Sequence, residues 1–170
     1  MIQYVLLIFI AIAFFTDAWR SILPNWLTLG GTLAGVLLQS LESGMEGLFQ
    51  AVIGAVVGFG MLLLLHLIGA LGAGDVKLFA AIGALTGALF VIQCLLYSIL
   101  FAGIIGLLLL LIRKKLLTTG SRIANWLFTI TMNRDLQTLL RLKQQPNLKF
   151  PFMYAVVPGV CTAWYYALIP

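Results

Sequence analysis

The sequence predicts an all-α membrane protein: a bundle of six transmembrane helices, with a basic amphipathic segment on the cytoplasmic side between helices 5 and 6. Three observations lead there. Of 170 residues, 62% are hydrophobic and 9% charged, against ~45–50% and ~25% in an ordinary soluble domain. Fifteen charged side chains cannot cover a surface of that size, so most of the chain must face lipid. Cutting the sequence at its charges leaves five long uncharged stretches, 1–16, 21–41, 47–74, 78–112 and 150–170, each long enough for at least one span. Finally, the basic residues sort to one side of a six-span arrangement.

The first stretch lacks a basic leading region and ends in Phe14-Phe15-Thr16-Asp17. It has no small-x-small cleavage site, so it reads as a retained helix and not a signal peptide. The second follows Pro24, whose fixed φ suits a helix start. Glu42 and Glu46 separate it from the third. The fourth would measure about 52 Å as one helix, against a hydrocarbon core of ~30 Å. It must cross twice, with the reversal expected near 89–95, where Gln93 is the strongest polar residue. The last stretch is the sixth span.

With the amino terminus outside, Arg20, Lys77 and the eight basic residues of 113–149 lie inside, and Glu42 and Glu46 are the only outside charges. All ten basic residues then obey the positive-inside bias. A single crossing at 78–112 would misplace eight of them. The net charge of +5 is thus explained by topology, without the clustered basic and base-stacking surface that nucleic-acid binding needs. Cys94 and Cys161 sit in apolar runs outside any CxxC or Cys/His cluster, and no disulfide framework or metal site is readable.

Residues 1–170 read as a single polytopic domain, with 113–149 its basic cytoplasmic loop. Within that loop Ile123, Leu127, Ile130, Leu136, Leu139 and Leu140 recur near helical spacing. An amphipathic helix or pair on the anionic inner leaflet accounts for both features. Glycines recur at small-xxx-small spacing in Gly31/Gly35, Gly54/Gly58 and Gly83/Gly87, which lets helix backbones approach closely within one bundle.

Only two acidic residues adjoin spans on the inner face, Asp17 at the end of helix 1 and Asp75 between helices 3 and 4. Parity places them together: from Asp17 the chain leaves through helix 2 and returns through helix 3. Either could instead be a helix cap or the partner of Arg20 or Lys77. Asp75 sits in Leu71-Gly72-Ala73-Gly74-Asp75-Val76-Lys77, and its glycines permit unusual backbone angles and close approach. No GK[ST] follows them and no strand precedes them, so this is not a nucleotide loop. The run from Asp17 to Pro24 and Asn25 is a short interfacial connection that can hold Asp17 at the water boundary.

An aspartate near the end of the first helix opening a D-x(6)-P-N run, with Gly-x-Gly-Asp before the fourth helix, resembles the type IV prepilin peptidases. Lys149-Phe150-Pro151-Phe152 is similar to that family's Lys-x-Pro-aromatic entry to the last helix. Presenilin-like intramembrane aspartic proteases share GxGD, but the combination with D-x(6)-P-N and this length points to prepilin peptidases. The short chain is most similar to the subgroup serving Flp/Tad-type pili, since it has no paired CxxC motifs and no added cytoplasmic region.

The resemblance implies a prepilin leader peptidase of the bacterial inner membrane, with both termini outside and its active site facing the cytoplasm. It would hydrolyse the leader of prepilin or pseudopilin precursors without N-methyltransferase activity. Asp17 and Asp75 would be catalytic, and Gly72, Gly74, Lys77, Pro24 and Asn25 would shape the active-site loops. No cofactor or metal is implied, and partners beyond substrate are lipids of the anionic inner leaflet.

The chemistry fits independently of the family. Amide hydrolysis needs a base to activate water and an acid to protonate the leaving nitrogen, and two carboxylates sharing a proton supply both. Serine or cysteine catalysis lacks a base: the sole histidine, His66, stands nine residues before Asp75, about 13 Å away if helical throughout, and reads as a packing residue. The alternative from another class is a small ion or proton-coupled transporter or channel subunit. It would want ionisable residues near the bilayer midplane, whereas these lie at one edge. A purely structural assembly factor is the remaining reading.

Overall fold

A computed structural model describes residues 2–20, 23–69, 71–112 and 152–168. Five helices carry them: α1 (Ile2–Arg20), α2 (Asn25–Leu67), α3 (Ala73–Thr86), α4 (Ala88–Ile112) and α5 (Met153–Leu168), with no strand among the described residues. The packing below belongs to Met1–Ala102 and Pro151–Pro170. Of the separate unit Gly103–Phe150, only the end of α4 is described. The basic amphipathic segment expected at 113–149 lies outside the described residues.

The 43 residues of α2 are not one rod. Gly44 adopts φ 60° and ψ −134°, angles that a residue without Cβ reaches cheaply, and the helix breaks there into arms 25–43 and 45–67. Gly35 on the first arm and Gly54 on the second both pack against the 83–87 turn of α3. In a straight helix those glycines would stand about 28 Å apart, so the chain must double back at Gly44. The turn expected between Leu41 and Gly47 is therefore present, as a glycine corner between Glu42 and Glu46.

A second reversal falls at Gly87, φ 86°. Phe79, before it, and Val91, after it, both lie against Gly58. This corrects the expectation of a turn near 89–95. Gln93 is instead an exposed residue within α4, and the break follows backbone freedom, not side-chain polarity. α3 also begins earlier than expected, at Ala73 and not Leu78, so Asp75 lies in a first helical turn instead of in a connection.

α3 is the innermost element. Val76, Leu78, Phe79, Ala81, Ile82, Ala84 and Leu85 are all buried, because glycines on its neighbours bring backbone against backbone. A Cβ on Gly54 would collide with the Gly83 carbonyl, one on Gly83 with the Gly54 carbonyl, and one on Gly35 would sit 2.6 Å from the Ala84 backbone. Gln39 Nε2 donates to the Leu85 carbonyl at 3.0 Å, so this buried amide has a partner. The outer faces are the reverse: Leu29, Leu33 and Leu37 form an exposed stripe at a spacing of four. Unpaired apolar surface of that kind is what lipid covers. Among the described residues three helices, α1, α2 and α4, are long and apolar enough to cross a membrane.

Candidate active site

Four chain segments meet at the end of the bundle opposite the Gly44 corner: the last turn of α1, the start of α2, the turn leading into α3, and the start of α5. Their sequences explain why they stop there. Pro24, φ −68°, is the N-cap of α2, and it lacks an N–H that would need a partner. Gly69, φ 83°, closes the second arm of α2 by donating to the His66 carbonyl at 2.8 Å, the left-handed ending that glycine favours.

Asp17 projects from the last turn of α1 and is buried, 8% exposed. The carboxyl-terminal end of a helix is the wrong end for a carboxylate, since the macrodipole is negative there. Its partner comes from elsewhere: the backbone N–H of Met153, the first residue of α5, donates to it. A free helix N-terminus thus supplies what α1 cannot.

Asp75 occupies the first turn of α3, ahead of the buried apolar run that starts at Leu78. Its Oδ2 accepts the backbone N–H of Gly72, the N-cap, at 3.1 Å. Glycine offers no side chain in return, so this is half of a capping box. The cap reading of Asp75 is therefore correct as far as it goes, but a cap alone would not need burial. Burial pushes the Asp75 carboxyl up to about 6; the Gly72 N–H opposes the rise, the neighbouring Asp17 charge adds to it, and His66 opposes it. Asp17 and Asp75 thus feel each other's charge across α1 and α3.

The other motif residues gather around this pair. Lys77 is turned away from the aspartates: its Nζ donates to Asn25 Oδ1 at 2.8 Å, tying the start of α3 to the start of α2. Gly74 faces the Leu23 side chain, whose Cβ would lie 3.4 Å from a Cβ added there. That is ordinary contact, so this glycine is not required by space. The two sequence runs singled out separately, 17–25 and 71–77, are thus joined by a bond between their own members.

Two contributors were missed. Met153 could have been suspected from Pro151, which precedes a new helix start. His66 reads as a packing residue only if the helix is continuous; α2 ends at Leu67, and His66 acts on the Asp75 charge while its Nδ1 lies 2.8 Å from the Leu71 carbonyl. The signal was the glycine at 69, which cannot be expected to continue a helix. Among the described residues, no three His, Cys, Asp or Glu side chains cluster as a metal site.

Residues 4–107 match the profile of the type IV leader peptidase family. Over 104 residues the chain is 35% identical to the prepilin leader peptidase/N-methyltransferase of Myxococcus xanthus (strain DK1622), an alignment covering 57% of this chain and 31% of that protein. The chain therefore spans about a third of the length of that relative. No solved structure matches. Since the profile covers more than half of the chain and takes in Asp17, Pro24, Asn25, Gly72, Gly74 and Asp75, the chain belongs to the type IV leader peptidase family.

Proposed function

We propose that the protein is a prepilin leader peptidase that hydrolyses the leader of type IV pilin-like precursors with Asp17 and Asp75 as its catalytic pair. The observation carrying this reading is the electrostatic contact between a buried carboxyl at the end of α1 and a half-buried one at the start of α3. Two carboxylates that feel each other's charge resist ionising together, and the catalytic form is the one in which the pair holds a single proton. The ionised partner takes a proton from the attacking water as its oxygen adds to the scissile carbonyl. The protonated partner gives its proton to the departing amine nitrogen, and the pair ends with one proton, as it began. The titration belongs to the pair and not to either residue.

Around this chemistry we place six spans: α1, the two arms of α2, α3, α4 and α5. The arms measure roughly 28 and 35 Å, and α3 and α5 about 21 and 24 Å, at 1.5 Å per residue. The shorter two suit interior positions, where neighbouring helices and not lipid set the length. Both termini and the Gly44 corner lie on the outer side of the membrane, while the pair faces the cytoplasm, where a substrate's leader meets its hydrophobic helix. The basic run 113–149 rests on the anionic inner leaflet of the bacterial plasma membrane. With no CxxC pair in its sequence, the chain resembles the enzymes that serve Flp/Tad-type pili, and it cleaves without methylating.

Co-expression with a candidate prepilin tests the reading. Leader removal on a gel is expected from the wild type and not from Asp17→Asn or Asp75→Asn, and an unchanged precursor across candidate substrates would overturn it. Mass spectrometry of the product formed with S-adenosylmethionine present should show a free amino terminus.

A further inference from the structure

One peptide group in the turn before α3 is hydrogen-bonded at both ends. Its carbonyl, that of Leu71, lies 2.8 Å from His66 Nδ1. Its N–H, that of Gly72, donates to Asp75 Oδ2 at 3.1 Å. A carbonyl oxygen can only accept, so Nδ1 carries the hydrogen in this contact. The peptide unit is planar, with C=O and N–H pointing opposite ways, so fixing one end aims the other. Bonds in such a chain also polarise one another.

We propose that His66 is a positioning residue for Asp75, acting through the Leu71–Gly72 peptide: the imidazole N–H locks the carbonyl, and the lock directs the Gly72 N–H onto the Asp75 carboxylate. The local sequence makes such a lock necessary. Gly69 and Gly72 bracket the turn and neither has a side chain to restrain it, so without an outside anchor the 71–72 peptide can flip at little cost. His66 is on the last helical turn of α2 and is half-buried, which holds its ring in place. The inference rests on reading Asp75 as one of the catalytic pair only for its consequence in catalysis, and not for the positioning itself.

Among the described residues, the ionisable groups facing Asp75 are Asp17 from α1 and His66 from α2; Lys77, on its own helix, is turned to Asn25. A test on the purified full chain therefore follows the 13C signal of the Asp75 carboxyl carbon through a pH titration in lipid nanodiscs, with assignment from Asp75→Asn. His66→Leu, which keeps bulk but not the donor, should raise the Asp75 midpoint by about one pH unit as the aimed N–H is lost. His66→Asn, whose side-chain amide stands where Nδ1 stood, should return the midpoint most of the way to that of the wild type. A midpoint unmoved in folded His66→Leu, or raised equally in His66→Asn, overturns the assignment. If His66→Leu fails to accumulate, His66→Ala supplies the same comparison.

This readout needs no substrate, so it stands even if no prepilin is cleaved. With a prepilin that the wild type does cleave, His66→Leu should lower kcat about tenfold at unchanged KM and move the pH–rate limb in the same direction as the midpoint. His66→Asn should restore both.

Discussion

The two ends of this bundle are held together by different physics. In its middle and toward the Gly44 corner, α3 is packed between the arms of α2 by absent side chains: Gly35, Gly54, Gly58 and Gly83 bring backbones into contact, and a side-chain bond from Gln39 to the Leu85 carbonyl joins the two helices. At the other end contact is made by directed polar bonds, Met153 to Asp17, Gly72 to Asp75, Lys77 to Asn25 and His66 to Leu71. In lipid, apolar side chains gain nothing by leaving the bilayer for one another, so close packing and not hydrophobic burial holds such a region. The second is built from hydrogen bonds that hold its two carboxylates in place. Stability and function should therefore fail separately.

The largest structural effect is expected in the glycine region. Gly83→Leu drives side-chain atoms into the Gly54 carbonyl, and neither backbone can yield without moving a span. Overpacking typically costs about 1–3 kcal/mol, occasionally more, and folded protein recovered in mild detergent should fall severalfold. A Gly83→Leu chain that is recovered and melts like the wild type would show that the contact is looser than described. Gly74→Ala, at the polar end, has room for its Cβ and should leave recovery unchanged.

Next come the tethers. Lys77→Met and Asn25→Ala should each lower leader cleavage about tenfold, with recovery close to that of the wild type, since a hydrogen bond to a charged group contributes about 1.5–3 kcal/mol. The double variant should be no worse than either single, because both remove one bond. Additive losses would mean that the two side chains act separately.

A smaller effect is expected in the pH dependence of stability. Burial pushes the Asp75 carboxyl up to about 6, above its ordinary 3.8, so between those values the folded chain holds a proton that the unfolded chain has released. Its contribution favours the folded state fully below 3.8 and is lost as pH rises through 6. The wild type should thus gain stability on going from pH 7 to pH 4 relative to Asp75→Asn, by at most about 3 kcal/mol. A flat difference between the two would contradict the burial assigned to Asp75. The smallest effect belongs to Glu46→Gln at the far corner, whose cleavage rate should match the wild type within about twofold.

The contrast also explains what could be read from sequence. Asp17, Asp75 and the D-x(6)-P-N and Gly-x-Gly-Asp runs were legible because local spacing and the parity of crossings suffice to bring them to one face. The corner at 41–47 was legible because two glutamates cannot sit in a span. The reversal at Gly87 was not: seventeen glycines look alike in the sequence, and which takes a positive φ depends on what packs beside it. The parts of the site that escaped are those made by distant chain. Met153 reaches Asp17 through the placement of α5, Lys77 meets Asn25 across two helix starts, and His66 comes near Asp75 only because the chain turns between them.

Single and double replacements of the two aspartates measure the central claim most directly, in a cleavage assay on a prepilin that the wild type processes. Asp17→Asn and Asp75→Asn should each lower kcat by at least about 10³, with protein recovery near normal, since asparagine keeps the shape but cannot exchange the proton. The double variant should be scarcely slower than either single, because the pair works as one unit. If either single variant cleaved at the wild-type rate, or if the double lost the product of the two single effects, the coupled aspartate pair would be contradicted.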